Sequence, residues 1–190
     1  MNMRGILLPL LLAACSAPSE TPPLAGAKLG APFTLTDQTG ARITDRAFAG
    51  KWRIVYFGYT YCPDVCPVDA QNIAAGLKQV ERDQPALGAK VVPLFVTVDP
   101  ARDTPAVLKQ FVGAFHPRMV GLTGSPAEIA ALAKSYAVYY RAQPPGPGGG
   151  YMVDHSRSGF LMDPDGKPVA LLPVEKSGAA VAAELERWVK

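Results

Sequence analysis

The chain has 190 residues, with 19 lysines and arginines against 16 acidic residues, a net charge of +3, and only 2 histidines and 3 cysteines. That length suits one domain with its own core. The cations are scattered rather than blocked, so charge gives no argument for a nucleic-acid partner, and the chain carries no Gly-rich phosphate loop, Ser-His-Asp pattern or paired-carboxylate signal.

The first residues read as an address. Arg4 precedes an apolar run over 6–14, too short for a bilayer, which needs roughly 20 residues. The run closes on Leu12-Ala13-Ala14-Cys15, which resembles a bacterial lipobox. That resemblance makes residues 1–14 a lipoprotein signal peptide and Cys15 the lipidated first residue of the mature chain; the plainer alternative is an ordinary signal peptide. Residues 15–27, rich in Pro, Ser and Ala, read as a tether, and 28–190 as the folded domain. The domain is then expected on the extracytoplasmic side of a bacterial cell envelope, held to the membrane by lipid.

The elements follow in order. Residues 33–41 alternate and turn at Thr39-Gly40, which predicts an N-terminal β-hairpin. Residues 52–58 predict a buried strand that ends at the first cysteine, and 91–98, 119–122, 160–162 and 169–172 predict further strands. Thr104-Pro105 caps a helix with Leu108, Phe111 and Val112 inward. Ser125-Pro-Ala-Glu128 is a capping-box pattern, and Ser177 opens the last helix, with Val181, Leu185 and Trp188 inward. Strands alternating with helices predict an α/β fold, a mixed sheet flanked by helices on both faces. Residues 143–150, QPPGPGGG, read as a flexible loop ahead of His155.

With Cys15 assigned to lipid, two cysteines remain, and Cys62 and Cys66 stand together in FGYTYCPDVCP. A bridge across so short a loop would be an inefficient staple. Two thiolates make a soft metal-binding pair, and the same thiols can cycle through a disulfide, so both chemistries are open. Each cysteine precedes a proline, which places Cys62 in a loop and Cys66 at a helix boundary with Pro67 at the first helical position. The helix N-terminus is expected to favour the Cys66 thiolate, with Asp69 in the first turn and Asp64 nearby acting against it. His155, in VDHS, supplies a third donor, and Cys₂His leaves a metal position open. His116 reads as structural, at a helix end. Asp99 follows a strand at the same end of the sheet, where it either orients the ligands from behind or forms a turn with Pro100. Tyr56, Tyr59 and Tyr61 read as core and rim aromatics.

Three segments in order, FGYTYCPDVCP, VTVDPARDT and VDHSRSGFLMDPDG, resemble the Sco/SenC family of copper proteins. The resemblance covers roughly the whole mature domain and implies a thioredoxin-like fold. It implies Cys62, Cys66 and His155 as copper ligands, Cys62 and Cys66 as a disulfide-forming redox pair, and service to the CuA-bearing subunit of cytochrome c oxidase or another copper acceptor; the domain itself is expected to be a monomer. The expected function is therefore a copper chaperone. The alternatives are a thiol–disulfide reductase keeping acceptor cysteines reduced, a thiol peroxidase, and a zinc site of the same donors.

Overall fold

The computed structural model describes residues 20–190. The expected signal peptide and Cys15 lie outside the described residues. Strands β1 (Thr34–Asp37) and β2 (Arg42–Thr44) form the expected hairpin. Its turn is closed by Asp37 Oδ1, which accepts from the Thr39 and Ala41 N–H groups at 2.8 and 3.1 Å, and by Gly40, whose φ of 90° suits a residue without a Cβ.

β3 (Trp52–Gly58), β4 (Val91–Thr97) and β5 (Val120–Thr123) run parallel at the centre of the sheet. A two-stranded ribbon, β6 (Tyr140–Ala142) with β7 (Val153–His155), stands apart from it. β8 (Gly159–Met162) pairs antiparallel with β3, and β9 (Pro168–Leu172) antiparallel with β8. The main sheet has the order β2-β1-β5-β4-β3-β8-β9, mixed as expected.

Every residue of β3 is buried, because both of its faces are covered. Ile54 and Tyr56 join a core with Ile73 and Leu77 of α1 (Val65–Asp83), Leu108 and Val112 of α3 (Pro105–Phe115), and Val181 and Leu185 of α5 (Gly178–Trp188). A short α2 (Pro85–Gly88) follows α1. Val55 and Phe57, which alternate to the other face, meet Leu35, Leu94, Val96 and the inner side of α4 (Pro126–Ser135).

The helix starts are as the sequence signals them. The Thr104 and Ser177 side chains accept from Val107 N and Ala180 N, and Ser125 with Glu128 forms the full capping box. One expectation needs correction. α1 begins at Val65 rather than Cys66, so Pro67 sits third in the helix; it is tolerated there because the first turn's N–H groups have no intrahelical partner. Residues 143–150 form a loop as expected; it joins β6 to β7, and pairing continues into it through Gln143 N–H to the Met152 carbonyl at 2.8 Å. Of the segment expected as a tether, residues 20–27 run along the domain: Leu24 N–H donates to the Val169 carbonyl at 3.0 Å, and Glu20 pairs with Arg187.

α1 and α5 cross where two glycines meet. A Cβ on Gly76 would lie 2.7 Å from the Gly178 carbonyl oxygen and 2.8 Å from Val181 Cβ. Alanine gains about 1 kcal/mol of helix propensity, yet overpacking against backbone costs about 1–3 kcal/mol and no rotamer relieves it. Gly76→Ala is expected to lower unfolding stability by about 1 kcal/mol, read as a fall in the urea midpoint. A raised midpoint would mean that the two helices do not approach through these glycines.

Candidate metal centre

β3 ends at Gly58, and residues 59–64 cross the C-terminal edge of the parallel strands before α1 begins. That edge is where open α/β sheets place their sites. Asp103, fully buried, fixes the crossing. It accepts from Thr60 N (3.0 Å), Thr60 Oγ1 (2.6 Å) and Thr97 Oγ1 (2.6 Å), tying the cysteine loop to the end of β4. Burial pushes its carboxyl pKa up against those hydrogen bonds. The acid singled out from sequence, Asp99, is taken by the Tyr151 hydroxyl (2.7 Å) and Arg102 Nε (2.5 Å). Its path to the donors runs through Arg102 and the ring of Tyr59, which stands edge-on to His155 at 5.9 Å.

Cys62, Cys66 and His155 come together, their donor atoms all within 4.8 Å of one another. The two sulfurs are not bonded to each other. Cys66 Sγ lies 3.1 Å from His155 Nε2, and the Cys66 N–H points at Cys62 Sγ at 3.5 Å. Close approach here requires glycine at 58, since a Cβ there would lie 3.0 Å from Cys66 Sγ and 2.9 Å from the Tyr56 ring. His155 Nδ1 is 3.0 Å from the Ser156 carbonyl. A carbonyl only accepts, so Nδ1 carries the proton and the Nε2 lone pair faces the sulfurs. Burial lowers the His155 pKa and keeps the ring neutral, against the opposing pull of the Ser156 carbonyl and Asp69.

The two thiols differ, and the fold decides what the opposing helix end and carboxylates leave open in the sequence. Burial raises the Cys62 thiol, but N–H groups of Cys66, Asp64 and Val65 outweigh it and hold its pKa below the ordinary range. Cys66 is pushed well up by burial, and the neighbouring Cys62 adds to the rise. The helix N-terminus thus stabilises the thiolate of the loop cysteine, because Cys66 already lies inside the first turn and its own N–H points at Cys62.

Asp69 also departs from expectation. It is the fifth residue of α1, beyond the first turn, and fully buried. The Tyr56 hydroxyl donates to its Oδ2 (2.8 Å), and Arg157 grips both oxygens through Nε (3.0 Å) and Nη2 (2.5 Å). Asp69 shares its helix stripe with Ile73, Leu77 and Val80, and an acid on an apolar stripe is a readable sign of a buried partner. Nothing in the sequence names Arg157 as that partner. Tyr56 and Tyr59 frame the His155 ring edge-on at 6.4 and 5.9 Å, whereas Tyr61 is exposed. His116 lies elsewhere as a structural residue, its Nε2 3.2 Å from Glu81 and its Nδ1 accepting from Arg118 N.

Breaking a buried ion pair by removing one partner costs about 3–5 kcal/mol; here the Arg157 side faces water and Tyr56 remains to Asp69. Arg157→Ala is therefore expected to lose about 2 kcal/mol and to broaden the His155 ring resonances in NMR spectra. Sharp, unshifted resonances would show that the pair does not position the histidine.

With this geometry in view, the comparisons are direct. The SCO1/SenC family model matches residues 21–190. The chain is 47% identical over 140 residues to Protein SenC of Rhodobacter capsulatus, covering 74% of this chain and 61% of that protein. It spans about half the length of most other curated relatives it matches. Among solved structures it is similar to Bradyrhizobium japonicum ScoI with copper bound, at TM-score 0.75 and 41% identity, covering 85% of this chain and 99% of that one. It is also similar to BsSco, described with a disulfide switch and as a member of the Sco family of cytochrome c oxidase assembly proteins, at TM-score 0.64 and 26% identity, covering 84% and 93%. The sheet, its flanking helices and the clustered Cys62, Cys66 and His155 thus sit on the thioredoxin-like fold of these structures, and the chain belongs to the SCO1/SenC family.

Proposed function

We propose that the chain is a copper chaperone that binds copper through Cys62, Cys66 and His155 and assists assembly of the CuA centre of cytochrome c oxidase. The observation that carries this reading is the approach of two thiols and one imidazole nitrogen to within 4.8 Å of one another. Thiolate sulfur selects Cu(I), and the Nε2 lone pair of His155, fixed by the bond from Nδ1, adds a borderline donor. Three protein donors leave one position free for the acceptor. Binding expels the Cys66 proton, because the thiolate is the ligand, and the copper then occupies a site with little water. The copper-bound relative and the cytochrome c oxidase assembly role attached to BsSco support the cargo and the destination.

A second reading rests on the unequal thiols. Cys62, the thiol with the lowered pKa, suits attack as its thiolate on an acceptor disulfide, forming a mixed disulfide and releasing one acceptor thiolate. Cys66 then attacks the Cys62 sulfur, closing a Cys62–Cys66 disulfide and freeing the second acceptor thiol, so that two electrons pass to the acceptor. This would keep acceptor cysteines reduced for metalation. Copper delivery uses the same cysteines and also needs His155.

The reading places the domain on the extracytoplasmic side of a bacterial cell envelope, with residues 1–14 removed, Cys15 lipidated, and the domain acting as a monomer. Cys15→Ser should leave the precursor uncleaved and exclude labelled fatty acid that the unaltered chain incorporates. Equal labelling of both would refute the anchor.

The copper test uses the purified full chain and competition with a Cu(I) chelator. One copper per chain is expected. Losing a residue behind a ligand already costs about 10–100-fold in metal affinity, so losing a ligand in Cys62→Ser or Cys66→Ser should cost more than about 100-fold. His155→Ala should weaken Cu(II) more than Cu(I), which two thiolates still hold. Unchanged Cu(I) affinity in both cysteine variants would rule out this site. Normal copper transfer by His155→Ala, with acceptor thiol reduction abolished in Cys62→Ser, would favour the reductase reading.

A further inference from the structure

Met119 and Met162 are buried in the two cores, but Met152 is 46% exposed and belongs to neither. It stands three residues before His155, just ahead of β7. Its thioether does not trail into water. The Tyr59 hydroxyl donates to Met152 Sδ at 3.8 Å. Tyr59 therefore links Met152 to the site, since its ring stands edge-on to the His155 ring at 5.9 Å.

Tyr59 is itself held firmly. Its hydroxyl accepts from Val153 N at 3.2 Å, and its ring is buried against His155. The segment that carries Met152 is fixed in turn: Tyr151 donates to Asp99 and stacks on Arg102, whose guanidinium carbon is 3.6 Å from the ring centroid. An exposed methionine gains little from packing, and a surface apolar residue by itself requires no explanation. What distinguishes this one is a soft, neutral sulfur held by Tyr59, the residue whose ring borders the His155 ligand.

Resting on the copper reading above, we propose that Met152 is an auxiliary thioether ligand that handles Cu(I) on its way into and out of the site. Copper remains Cu(I) throughout. A bond from copper to the Met152 thioether forms as a donor's ligand leaves, and it is replaced by bonds to Cys62 and Cys66 as their remaining thiol protons pass to solvent. The reverse exchange presents the metal to the acceptor. A thioether carries no proton to lose and binds Cu(I) more weakly than a thiolate, so it serves transfer better than storage. It has little affinity for Cu(II), which restricts the route to the reduced metal.

The test compares the full chain with Met152→Leu, which keeps the volume and removes the sulfur. Rapid mixing with a Cu(I)–chelator complex should show loading slowed on the order of 10-fold, within the range for residues that support a metal site. Release to a second chelator should slow by a similar factor, while Cu(II) affinity stays the same. Met152→His should restore much of the rate by supplying another donor. Selenomethionine-labelled protein gives a second readout: a copper–selenium contribution to the X-ray absorption of partly loaded protein, absent in labelled Met152→Leu. Equal loading and release rates in Met152→Leu, with no copper–selenium contribution, would overturn the proposal while leaving the copper site standing. Failure of the unaltered chain to take up Cu(I) at all would overturn both.

Discussion

The site depends on one buried ion pair. Asp69 rides on α1, the helix that carries Cys66, and Arg157 follows His155 by two residues, so their bidentate contact fastens the histidine segment to the cysteine helix. The partners stand 88 residues apart in the chain, and a carboxylate with no exposed surface must be neutralised or it opposes folding. The histidine thus reaches the sulfurs as a consequence of satisfying a charge elsewhere. Tyr56 connects the two layers of this arrangement, since its hydroxyl satisfies Asp69 while its ring borders His155.

Around that fixed point the donors are unequal by design of the backbone. Cys62 sits in a loop where the N–H groups opening α1 converge, whereas Cys66 is sealed under Gly58 and the core. Cys62 therefore gives up its proton more readily than an ordinary thiol, and Cys66 less readily. The same asymmetry suits either proposed chemistry, copper capture or thiol–disulfide exchange, which is why the cysteines alone do not separate the two readings and the histidine does.

Much of this was legible in the residues. β3 runs over 52–58 as its apolar run and turn signals require, and the caps at Thr104, Ser125 and Ser177 are each made by the expected side chain. The trio of Cys62, Cys66 and His155 could be named because few soft donors exist in the chain. The β6–β7 ribbon was not readable: strands of three residues carry too little periodicity, and the Pro/Gly stretch between them resembles any loop. Asp103 was passed over for Asp99 because both follow β4 closely, and only the fold decides which reaches Thr60. The pairing of Asp69 with Arg157 is a product of topology, visible in sequence only as an acid misplaced on an apolar stripe.

The central claim is that copper is held by two cysteines and one histidine brought together by this fold. X-ray absorption of the full chain loaded with one equivalent of Cu(I) tests it most directly. The account predicts a shell of two sulfurs and one nitrogen, with the nitrogen lost in His155→Ala and one sulfur lost in either cysteine variant. A spectrum of nitrogen and oxygen donors alone, or one unchanged by all three substitutions, would contradict it.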